Sequence, residues 1–403
     1  MLRPGRPSGG EWRAAARGDR RRHPATPRGG PLVSTVRRVR VELGERGYDV
    51  LVGRGLLGRA GELLAEVLDG PEAVLVTDSH LLATDLPGRV GRSLEAAGLR
   101  YRTVVVPAGE ASKSLERLAA LLEAILEGGA DRRLAVLALG GGMIGDLAGL
   151  AAALLLRGVP FVQLPTSLLA QVDSSVGGKT GVNSRFGKNL VGAFWQPRRV
   201  LIDVEALSTL PRRELLAGYA ELVKHAFIKD RALFDWLDRH VEPLLGGDPD
   251  LRIEAIARSV AIKAAVVGAD ERETGGERAL LNFGHTFAHA YETLTGYGAE
   301  LLHGEAVALG MAQAFALSTR LGRCPAADAE AARAHLARVG LPVRPSAVRR
   351  GGFPVEETLA LMRRDKKATG GKLTFVLATG IGRAELARDV DEAEVRALLA
   401  GDG

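Results

Sequence analysis

The 403-residue sequence predicts an α/β domain followed by an all-α domain. In the first half, short apolar runs such as Ala73–Thr77 and Leu134–Leu139 alternate with helical segments, as expected for parallel strands buried on both faces. After about residue 206, apolar residues recur with helical spacing, and only Lys372–Ala378 resembles a strand. Because the length is compatible with two domains, we place them at 34–206 and 207–403.

The predicted elements follow one another without an internal repeat. Strands are expected at Val36–Leu43, Tyr48–Val52, Ala73–Thr77, Tyr101–Val106 and Leu134–Leu139. Helices of the first half are expected at Leu56–Leu68, Val90–Ala97, Ser114–Glu127 (with Ser112 or Ser114 as N-cap) and Leu147–Leu156. Helices of the second half are expected at Glu214–Ile228, Leu251–Val267, Asn282–Leu294, Gly304–Leu321 and Ala327–Val339.

The charge of the chain is unevenly distributed. Residues 1–40 hold eleven Arg against Glu11 and Asp19, a net +9, whereas the whole chain carries +6, so the remainder is near −3. The folded body therefore lacks the basic excess typical of nucleic-acid binding. Residues 1–33 are rich in Arg, Pro and Gly and lack an apolar segment. We interpret them as a disordered extension or the product of an upstream start codon, although the Arg content also fits a transit peptide.

The length of the apolar runs and the number of cysteines indicate the cellular compartment. No apolar run approaches the roughly 20 residues that cross a bilayer, and Leu147–Leu156 fits a buried helix. Cys324 is the only cysteine, which excludes an intrachain disulfide and fits a reducing compartment. We therefore expect a cytoplasmic protein with no membrane or nucleic-acid partner.

Glycines directly follow the predicted strand Leu134–Leu139. Leu134–Leu139 runs into Gly140–Asp146 and then into the Leu147–Leu156 helix. Backbone N–H groups and the positive end of a helix dipole meet at such a turn, where glycines let a pyrophosphate approach closely. The pattern fits a dinucleotide site. Because it lacks the G-x-G-x-x-G spacing, a tight turn that needs glycine for its geometry alone explains it equally well.

Two further segments carry polar side chains. In Pro107–Ser114, Glu110 could accept hydrogen bonds from a ribose and Lys113 could meet an adenine or a phosphate, although both also fit an ordinary surface loop. Pro165–Asn183, followed by Gly187–Leu190, is dense in hydroxyls, glycines and cationic donors. We interpret this stretch as a loop around an anionic ligand, and the alternative is a long ordered surface loop.

Histidines concentrate in one short region. His285 and His289 lie at i, i+4 on one helical face, and His303 stands at the head of the next predicted helix, although the chain has only eight histidines. Imidazoles and carboxylates are the ligands that Zn²⁺ prefers. The spacing nominates His285 and His289 but does not decide which two of the three bind a metal. Hydrogen-bonded helix histidines without a metal are the alternative.

Other charged residues are candidates for the same site. Glu221 and Lys224 share a helical face at i, i+3, which is also the spacing of an ordinary ion pair. Lys263, Arg278 and Asn282 lie close in sequence to the histidines and could bind a carboxylate or hydroxyls. The run Arg364-Asp365-Lys366-Lys367 is a second cationic candidate, although such runs also mark a solvated face.

Taken in order, these segments resemble the motif series of the 3-dehydroquinate synthase family. The motifs are Gly140–Asp146, Pro165–Lys179, Gly187–Asn189, Glu221–Lys224, Asp270–Glu273, Asn282–His289 and His303–Glu305. The resemblance covers roughly residues 36–390, and the combination is specific although each piece alone is weak. It implies a Rossmann-like N-terminal α/β domain, a helical C-terminal domain, a homodimer, and an active site in the cleft between the domains.

The resemblance also implies which residues form the site. NAD would lie over Gly141, Gly142 and Asp146, with contributions from Asp78, Glu110, Lys113, Thr166, Ser167, Lys179 and Lys188. A divalent metal, Zn²⁺ or Co²⁺, would be held by Glu221, His285 and His303, which leaves His289 to face the substrate. A phosphorylated sugar acid would be lined by Asp173, Lys179, Asn189, Lys224, Lys263, Arg278, Asn282 and a lysine of the Lys366-Lys367 pair, taken as Lys367, with Arg157 assisting at the phosphate, in one reading from the partner subunit.

The family's chemistry explains these residue types. Its members convert 3-deoxy-D-arabino-heptulosonate 7-phosphate to 3-dehydroquinate and phosphate, in the shikimate pathway to chorismate and the aromatic amino acids. A ring hydroxyl is transiently oxidised by NAD, phosphate is eliminated, the ketone is reduced again, and an aldol step closes the carbocycle. The metal would polarise the hydroxyl and ketone, and lysines, Arg157 and Asn189 would bind the phosphate. Arg278 and Lys263 suit the substrate carboxylate. His289 is a candidate for proton transfer, and the substrate's own phosphate could act as the base.

Three alternatives stand beside this interpretation. A valiolone-type cyclase would share the NAD and metal residues but differ around the substrate carboxylate, so Lys263, Arg278, Asn282 and His289 favour dehydroquinate synthase. A net oxidoreductase of the glycerol dehydrogenase type would not need so many phosphate-binding cations, and a non-catalytic relative would not need the metal triad.

The sequence departs from the family pattern at Thr274–Glu277, which is one residue longer than that pattern. We expect the loop to absorb the extra residue.

Overall fold

The computed structural model describes residues 36–365 and 372–401. The predicted extension at 1–33 and the candidate substrate residue Lys367 lie outside the described residues.

The first part of the chain is built around a seven-stranded sheet. Its strands are β1 (Arg37–Val41), β2 (Tyr48–Gly53), β3 (Glu72–Asp78), β4 (Arg100–Val106), β5 (Ala135–Gly140), β6 (Phe161–Pro165) and β9 (Arg199–Asp203). They lie in the order β1-β2-β9-β6-β5-β3-β4. Only β1 pairs antiparallel, while the other strands pair in parallel. Between β6 and β9, the strands β7 (Lys179–Ser184) and β8 (Gly187–Phe194) form a separate antiparallel hairpin.

The order of the strands reverses between β3 and β5. The chain runs from β3 outward to β4, returns past β3 to β5, and then continues in the opposite direction to β6 and β9. In open α/β sheets, ligands bind at the carboxyl ends of the strands at such a point of reversal. Asp78 is the last residue of β3 and Gly140 the last of β5. The predicted glycine turn therefore lies at this crevice.

The helices cover the sheet and then continue into a helical region. Those of the first part are α1 (Ala60–Ala65), α2 (Leu86–Ala96), α3 (Leu115–Glu127) and α4 (Gly142–Leu154). Those of the second part are α5 (Arg212–Lys229), α6 (Arg231–Gly246), α7 (Pro249–Ala269), α8 (His285–Leu294), α9 (His303–Arg320), α10 (Ala326–Arg338), α11 (Val355–Asp365) and α12 (Glu392–Ala400). A second hairpin, β10 (Lys372–Gly380) and β11 (Arg383–Asp391), packs among them. None of the described helices combines the length and hydrophobicity that a bilayer crossing requires.

Apolar side chains on the two faces of the sheet enter different cores. One face packs with α1 and α2, through residues such as Leu75, Leu137 and Leu64. The opposite face packs with α3 and α4 around β3 to β5. At the β2 and β9 end, that face contributes Val50 and Ile202 to the core of the helical region. The sheet and the helices are thus joined through a continuous apolar core.

Most predicted elements are present, with informative differences. Helix α4 begins at Gly142 rather than Leu147, because the glycines themselves form its first turn. Helix α8 begins at His285 because Gly284 has a positive φ of 81° and ends the preceding 3₁₀ turn. The polar stretch that we read as a loop contains a π-helical turn and β7. The strands β6, β9 and β11 and the helices α6, α11 and α12 were absent from the sequence prediction, and β11 makes the second half not wholly helical.

Candidate active site

Three helices bring one carboxylate and two imidazoles together. Glu221 lies in α5, His285 begins α8 and His303 begins α9. The Nε2 atoms of both histidines lie 3.6 Å from Oε1 of Glu221, and one ligand atom from each residue falls within 4.8 Å of the others. A carboxylate and two imidazoles form a donor set that a borderline divalent cation prefers, with room for a substrate ligand.

Glycines allow the three helices to approach this closely. A Cβ on Gly304 would lie 1.9 Å from the carbonyl oxygen of Ala217, and one on Gly310 would lie 2.1 Å from that of Gly284. Only a residue without a side chain fits at such contacts of backbone with backbone. The ligand atoms therefore converge because α9 touches both α5 and α8 through glycine.

Hydrogen bonds turn both imidazoles toward the carboxylate. Nδ1 of His285 lies 3.3 Å from the carbonyl oxygen of Phe283, and Nδ1 of His303 lies 3.1 Å from Oε2 of Glu292. Each acceptor calls for a proton on Nδ1, which leaves Nε2 available to a metal. Oε1 of Glu221 is fully buried and has no hydrogen-bond partner among the described residues. A buried carboxylate oxygen that lacks a donor is expected to bind a cation, so the residues fit a metal.

The electrostatics of the triad are those of a cation site. Burial would raise the pKa of Glu221, but the ammonium of Lys224 outweighs it and holds this pKa well below its usual range. Burial and Lys224 lower the pKa of His285 to about 3. For His303, burial favours the neutral form, but the nearby carboxylates of Glu221 and Glu292 prevail and raise the pKa to about 10. A metal would therefore replace a proton on His303.

His289 lies beside the triad without belonging to it. Its ring centroid is 5.5 Å from that of His285, as expected one turn along α8. The group of potential ligand atoms consists of Glu221, His285 and His303. The helical spacing predicts His285 and His289 as a ligand pair because they are neighbours on one face of α8. The ligand atoms that cluster in the structure instead come from three different helices.

A buried group of alternating charges adjoins the metal centre. Lys224 forms an ion pair with Glu221 one turn earlier in α5. Lys263 of α7 donates to Oδ1 of Asp173 at 2.5 Å, and Nε2 of His225 lies 4.0 Å from the same oxygen. Burial lowers the pKa of Lys263, although Asp173 opposes the shift. The two lysines place two ammonium groups in the buried cluster that adjoins the metal site.

Arg278 and its loop form a second wall. The guanidinium of Arg278 is buried, donates to the carbonyl oxygens of Glu271 and Gly177, and lies 5.7 Å from the ring centre of Phe194. Asp270 accepts hydrogen bonds from the backbone N–H groups of Thr274, Gly275 and Arg278. This carboxylate holds both sides of the turn that leads into Arg278.

Glu273 gathers two of the predicted substrate residues. Its carboxylate forms an ion pair with Lys179 of β7 and accepts a hydrogen bond of 3.1 Å from Asn282. Glu273 has a positive φ of 58°, which is uncommon for a residue with a side chain. Lys179 and Asn282, far apart in sequence, are thereby held on one carboxylate.

The expected dinucleotide residues gather at the reversal of strand order. Gly141 precedes α4, and Cβ atoms on Gly141 and Gly142 would approach the hydroxyls of Ser167 and Ser174 at 3.4 and 3.0 Å. Lys113 forms a 2.5 Å ion pair with Asp146. A Cβ on Gly140 would lie 2.6 Å from the Cβ of Ile144, so packing also requires glycine there. The dinucleotide and the tight-turn interpretations of this segment are therefore compatible.

Loops around the crevice carry the remaining expected residues. Asp78 closes the turn after β3 by accepting from the N–H groups of His80 and Leu81. Glu110 accepts a 2.8 Å hydrogen bond from Asn183. Thr166 follows β6, and its N–H donates to the carbonyl oxygen of Gly140. The structure thus brings the ends of β3, β5 and β6 to one edge.

The remaining candidates for the dinucleotide and the phosphate lie on the hairpin and at the end of α4. Lys188 of β8 donates to Glu292 at 3.0 Å, and Asn189 next to it has a positive φ of 57°. Arg157 is exposed, also has a positive φ, and forms no hydrogen bond or ion pair with the described residues of this chain. Arg157 is therefore not assembled with the other candidates within one chain.

Sequence reasoning missed two buried residues of the site, Glu292 and His225. Glu292 lies seven residues, about two helical turns, after His285, so its place on the histidine face of α8 was visible in the spacing. His225 directly follows Lys224, and its Nδ1 lies 2.7 Å from the hydroxyl of Ser259. No pattern in the sequence indicates that contact, since Ser259 lies 34 residues away on α7.

Known relatives share this architecture. The chain matches the family described as 3-dehydroquinate synthase N-terminal over residues 103–217 and the one described as 3-dehydroquinate synthase C-terminal over residues 218–368. It is 57% identical to the 3-dehydroquinate synthase of Rhodospirillum rubrum over 362 residues, covering 89% of this chain and 93% of that protein.

Two solved structures are similar over nearly the whole chain. ValA, a 2-epi-5-epi-valiolone synthase from Streptomyces hygroscopicus solved with NAD⁺ and Zn²⁺ bound, is 31% identical with a TM-score of 0.79, covering 89% of this chain and 97% of that one. A 2-deoxy-scyllo-inosose synthase complexed with carbaglucose-6-phosphate, NAD⁺ and Co²⁺ is 25% identical with a TM-score of 0.79, covering 92% and 100%. The two family matches and the 57% identity carry the assignment: this chain belongs to the 3-dehydroquinate synthase family.

Proposed function

We propose that this chain converts 3-deoxy-D-arabino-heptulosonate 7-phosphate to 3-dehydroquinate and phosphate. The observation that carries the proposal is the position of the buried ammonium groups of Lys224 and Lys263 beside the triad of Glu221, His285 and His303. A substrate with both a carboxylate and a phosphate needs several cationic donors of this kind, whereas a simple alcohol does not. Relatives that are 57% and 51% identical over about nine tenths of the chain are named 3-dehydroquinate synthase.

We further propose NAD and a divalent metal, Zn²⁺ or Co²⁺, as cofactors. The donor set of the triad and the glycine turn at the strand reversal support them, as do the ligands of the two similar solved structures. When bound, NAD would supply a hydride acceptor and donor, and the metal, held by Glu221, His285 and His303, would supply a Lewis acid for the substrate oxygen. Gly141 and Gly142 would let the pyrophosphate approach the first turn of α4, with Asp146 and Lys113 beside it.

The chain's own side chains would bind and orient the substrate. Lys263 and Arg278 would meet the carboxylate, while Lys179 and Asn189 would meet the phosphate. Because Lys179 is paired with Glu273, the incoming anion would compete with that carboxylate for the ammonium. His289, beside the metal ligands, would transfer a proton at the reacting carbon or oxygen.

We propose a homodimer in which Arg157 serves the partner's site. Exposed apolar side chains lie near Arg157 at the end of α4, Leu154 and Leu156, and on β8, Leu190 and Phe194. Such residues near a guanidinium that has no partner in the described part of the chain fit a subunit interface. Light scattering would measure the mass. If variants Arg157→Ala and Lys224→Ala, each weakly active alone, regained activity on mixing, the shared site would be supported. A monomer that is fully active would contradict it.

The first experiment measures phosphate release from the heptulosonate phosphate, with NADH absorbance followed in the same cuvette and an EDTA control. Chelator-sensitive phosphate release without accumulating NADH is expected, because the hydride returns within each turnover. Release from other heptose phosphates alone would favour a valiolone-type cyclase. Net NADH production from simple alcohols would instead indicate a dehydrogenase.

A further inference from the structure

Glu292 connects the metal centre with the β7–β8 hairpin. The carboxylate of Glu292 is almost fully buried, with 3% of the side chain exposed. Oε2 lies 3.1 Å from Nδ1 of His303, and Oε1 accepts from Nζ of Lys188 at 3.0 Å. One side chain of α8 therefore contacts both a metal-ligand candidate on α9 and a cation on β8.

Both contacts have a defined direction. An ionised carboxylate can only accept hydrogen bonds, so the proton of the His303–Glu292 contact lies on Nδ1. In the neutral ring the lone pair of His303 then lies on Nε2, the atom 3.6 Å from Glu221. Lys188 is further fixed by the ring of Tyr297, whose centre lies 4.4 Å from Nζ. Tyr297 in turn shares a 2.7 Å hydrogen bond with Thr293, next to Glu292.

We propose that Glu292 is a positioning residue that fixes the metal-binding tautomer of His303 and, through its second oxygen, holds Lys188 against the helical region. The inference rests on the proposed metal site. Carboxylates that orient a metal-bound imidazole increase metal affinity by 10- to 100-fold. Glu292 also makes the position of Lys188, a residue expected at the dinucleotide, dependent on the same side chain, so that one carboxylate aligns the metal centre with the hairpin.

The variant Glu292→Gln tests this role because an amide cannot replace both contacts. If the amide oxygen faces His303, its NH₂ group opposes the ammonium of Lys188. If the NH₂ group faces His303, it requires a lone pair on Nδ1 and drives the proton onto Nε2, which blocks the metal. In either orientation the negative charge that makes His303 a stronger metal ligand is also lost. We therefore expect metal affinity, measured with Co²⁺ or Zn²⁺ by competition with a chelator, to fall about 10- to 100-fold.

Two further variants locate the effect. Asp238→Asn removes the carboxylate partner of the buried His335, a contact of 2.7 Å between α6 and α10. Because neither helix carries a triad residue, this variant is the matched control for losing a carboxylate–histidine hydrogen bond. It should leave metal affinity within about twofold. Lys188→Met retains the contact of Glu292 with His303, so it should also retain metal affinity.

The outcomes are separable. An unchanged metal affinity in folded Glu292→Gln protein, judged by its circular dichroism, would overturn the proposal, as would an equal loss in Lys188→Met. If Glu292→Gln does not fold, Glu292→Asp withdraws the carboxylate by one methylene and should show the same loss, and normal metal affinity in that variant would also overturn it. Wild-type protein that binds metal in this pattern but releases no phosphate would refute the proposed reaction and leave the role of Glu292 standing.

Discussion

Nζ of Lys263 donates to two oxygens of Asp173 at once, the carboxylate Oδ1 at 2.5 Å and the main-chain carbonyl at 2.6 Å. Asp173 lies in the π-helical turn Ala170–Ser174, whereas Lys263 lies in α7. A π-helical turn leaves backbone groups displaced from α-helical pairing and is frequent at functional sites. Lys263 therefore anchors this turn to the helical region as well as adding charge to the site.

Removing that ammonium should destabilise the protein. In Lys263→Met, the carboxylate and carbonyl of Asp173 lose their shared donor in a largely buried place, so we expect a loss of about 3 kcal/mol in the free energy of unfolding. Lys229→Met, which breaks the exposed pair with Glu277, is the control and should change it by less than about 1 kcal/mol. Urea denaturation measures both. Equal stability of the two variants would contradict the anchoring role.

The metal content of two variants should distinguish the role of His303 from that of His289. His303→Ala removes a member of the triad, so bound metal and activity should both be lost. His289→Ala should keep its metal, because its imidazole lies outside the triad, while activity falls by about 10²- to 10⁴-fold. Elemental analysis after dialysis and the phosphate assay check the two expectations. Loss of metal in His289→Ala would show that the ligand set is different.

Acidic pH should destabilise the protein through His225. Burial, aided by Lys224, lowers the pKa of His225 to about 3, whereas an unfolded histidine has a pKa near 6.5. Below pH 6.5 the unfolded state therefore binds more protons than the folded state, and stability falls as pH falls. Between pH 7.5 and 5.0 this residue should account for about 2 kcal/mol.

The variant His225→Gln isolates that contribution. With EDTA present throughout, so that metal binding does not vary, its free energy of unfolding should depend less on pH than that of the wild type by about 2 kcal/mol across the same interval. Denaturation curves at the two pH values give the difference. Identical pH dependence in the two proteins would show that His225 does not titrate abnormally.

A methyl group on Gly304 should disturb the metal centre. The added Cβ in Gly304→Ala would meet the carbonyl of Ala217 at 1.9 Å, and a backbone oxygen in a packed helix cannot give way cheaply. We expect a stability loss of about 1–3 kcal/mol and weaker metal binding, since α5 and α9 would separate. Gly246→Ala is the matched control, because open space surrounds that position. Unchanged metal affinity in Gly304→Ala would contradict the argument.

The sequence predicts the parts of the fold that have strong local patterns. Strands β2 to β5 and most of the helices are predicted, although the buried strands β6 and β9 and the helices α6, α11 and α12 are not. The family resemblance is confirmed by the comparisons. The β7–β8 hairpin was read as a loop because Lys179–Phe194 is rich in glycine and polar residues and lacks a clear apolar alternation. Its pairing is instead specified by backbone hydrogen bonds and by packing on α4, which no local pattern reveals.

For the candidate site, the sequence predicts which residues are involved but not how they come together. The histidines and glycines stood out because their types are chemically distinctive. Their spacing along one helix nevertheless favoured His285 with His289, since convergence with Glu221 and His303 depends on three helices meeting. Arg278 was expected at a substrate carboxylate, and the structure adds that it already holds two backbone carbonyls. The sequence does not predict these two hydrogen bonds, because they depend on tertiary contacts.

The apolar core that runs from the sheet into the helices couples the unfolding of these two parts of the molecule. Val50 and Ile202 of the sheet share that core with residues such as Phe227 and Val260 of the helices. Cutting the chain near residue 206 would leave both fragments with an uncovered apolar surface, and neither would retain its partner's packing. We therefore expect the sheet and the helices to melt together in one cooperative transition, and exchange of either half with that of a distant relative to require compensating changes along their shared seam.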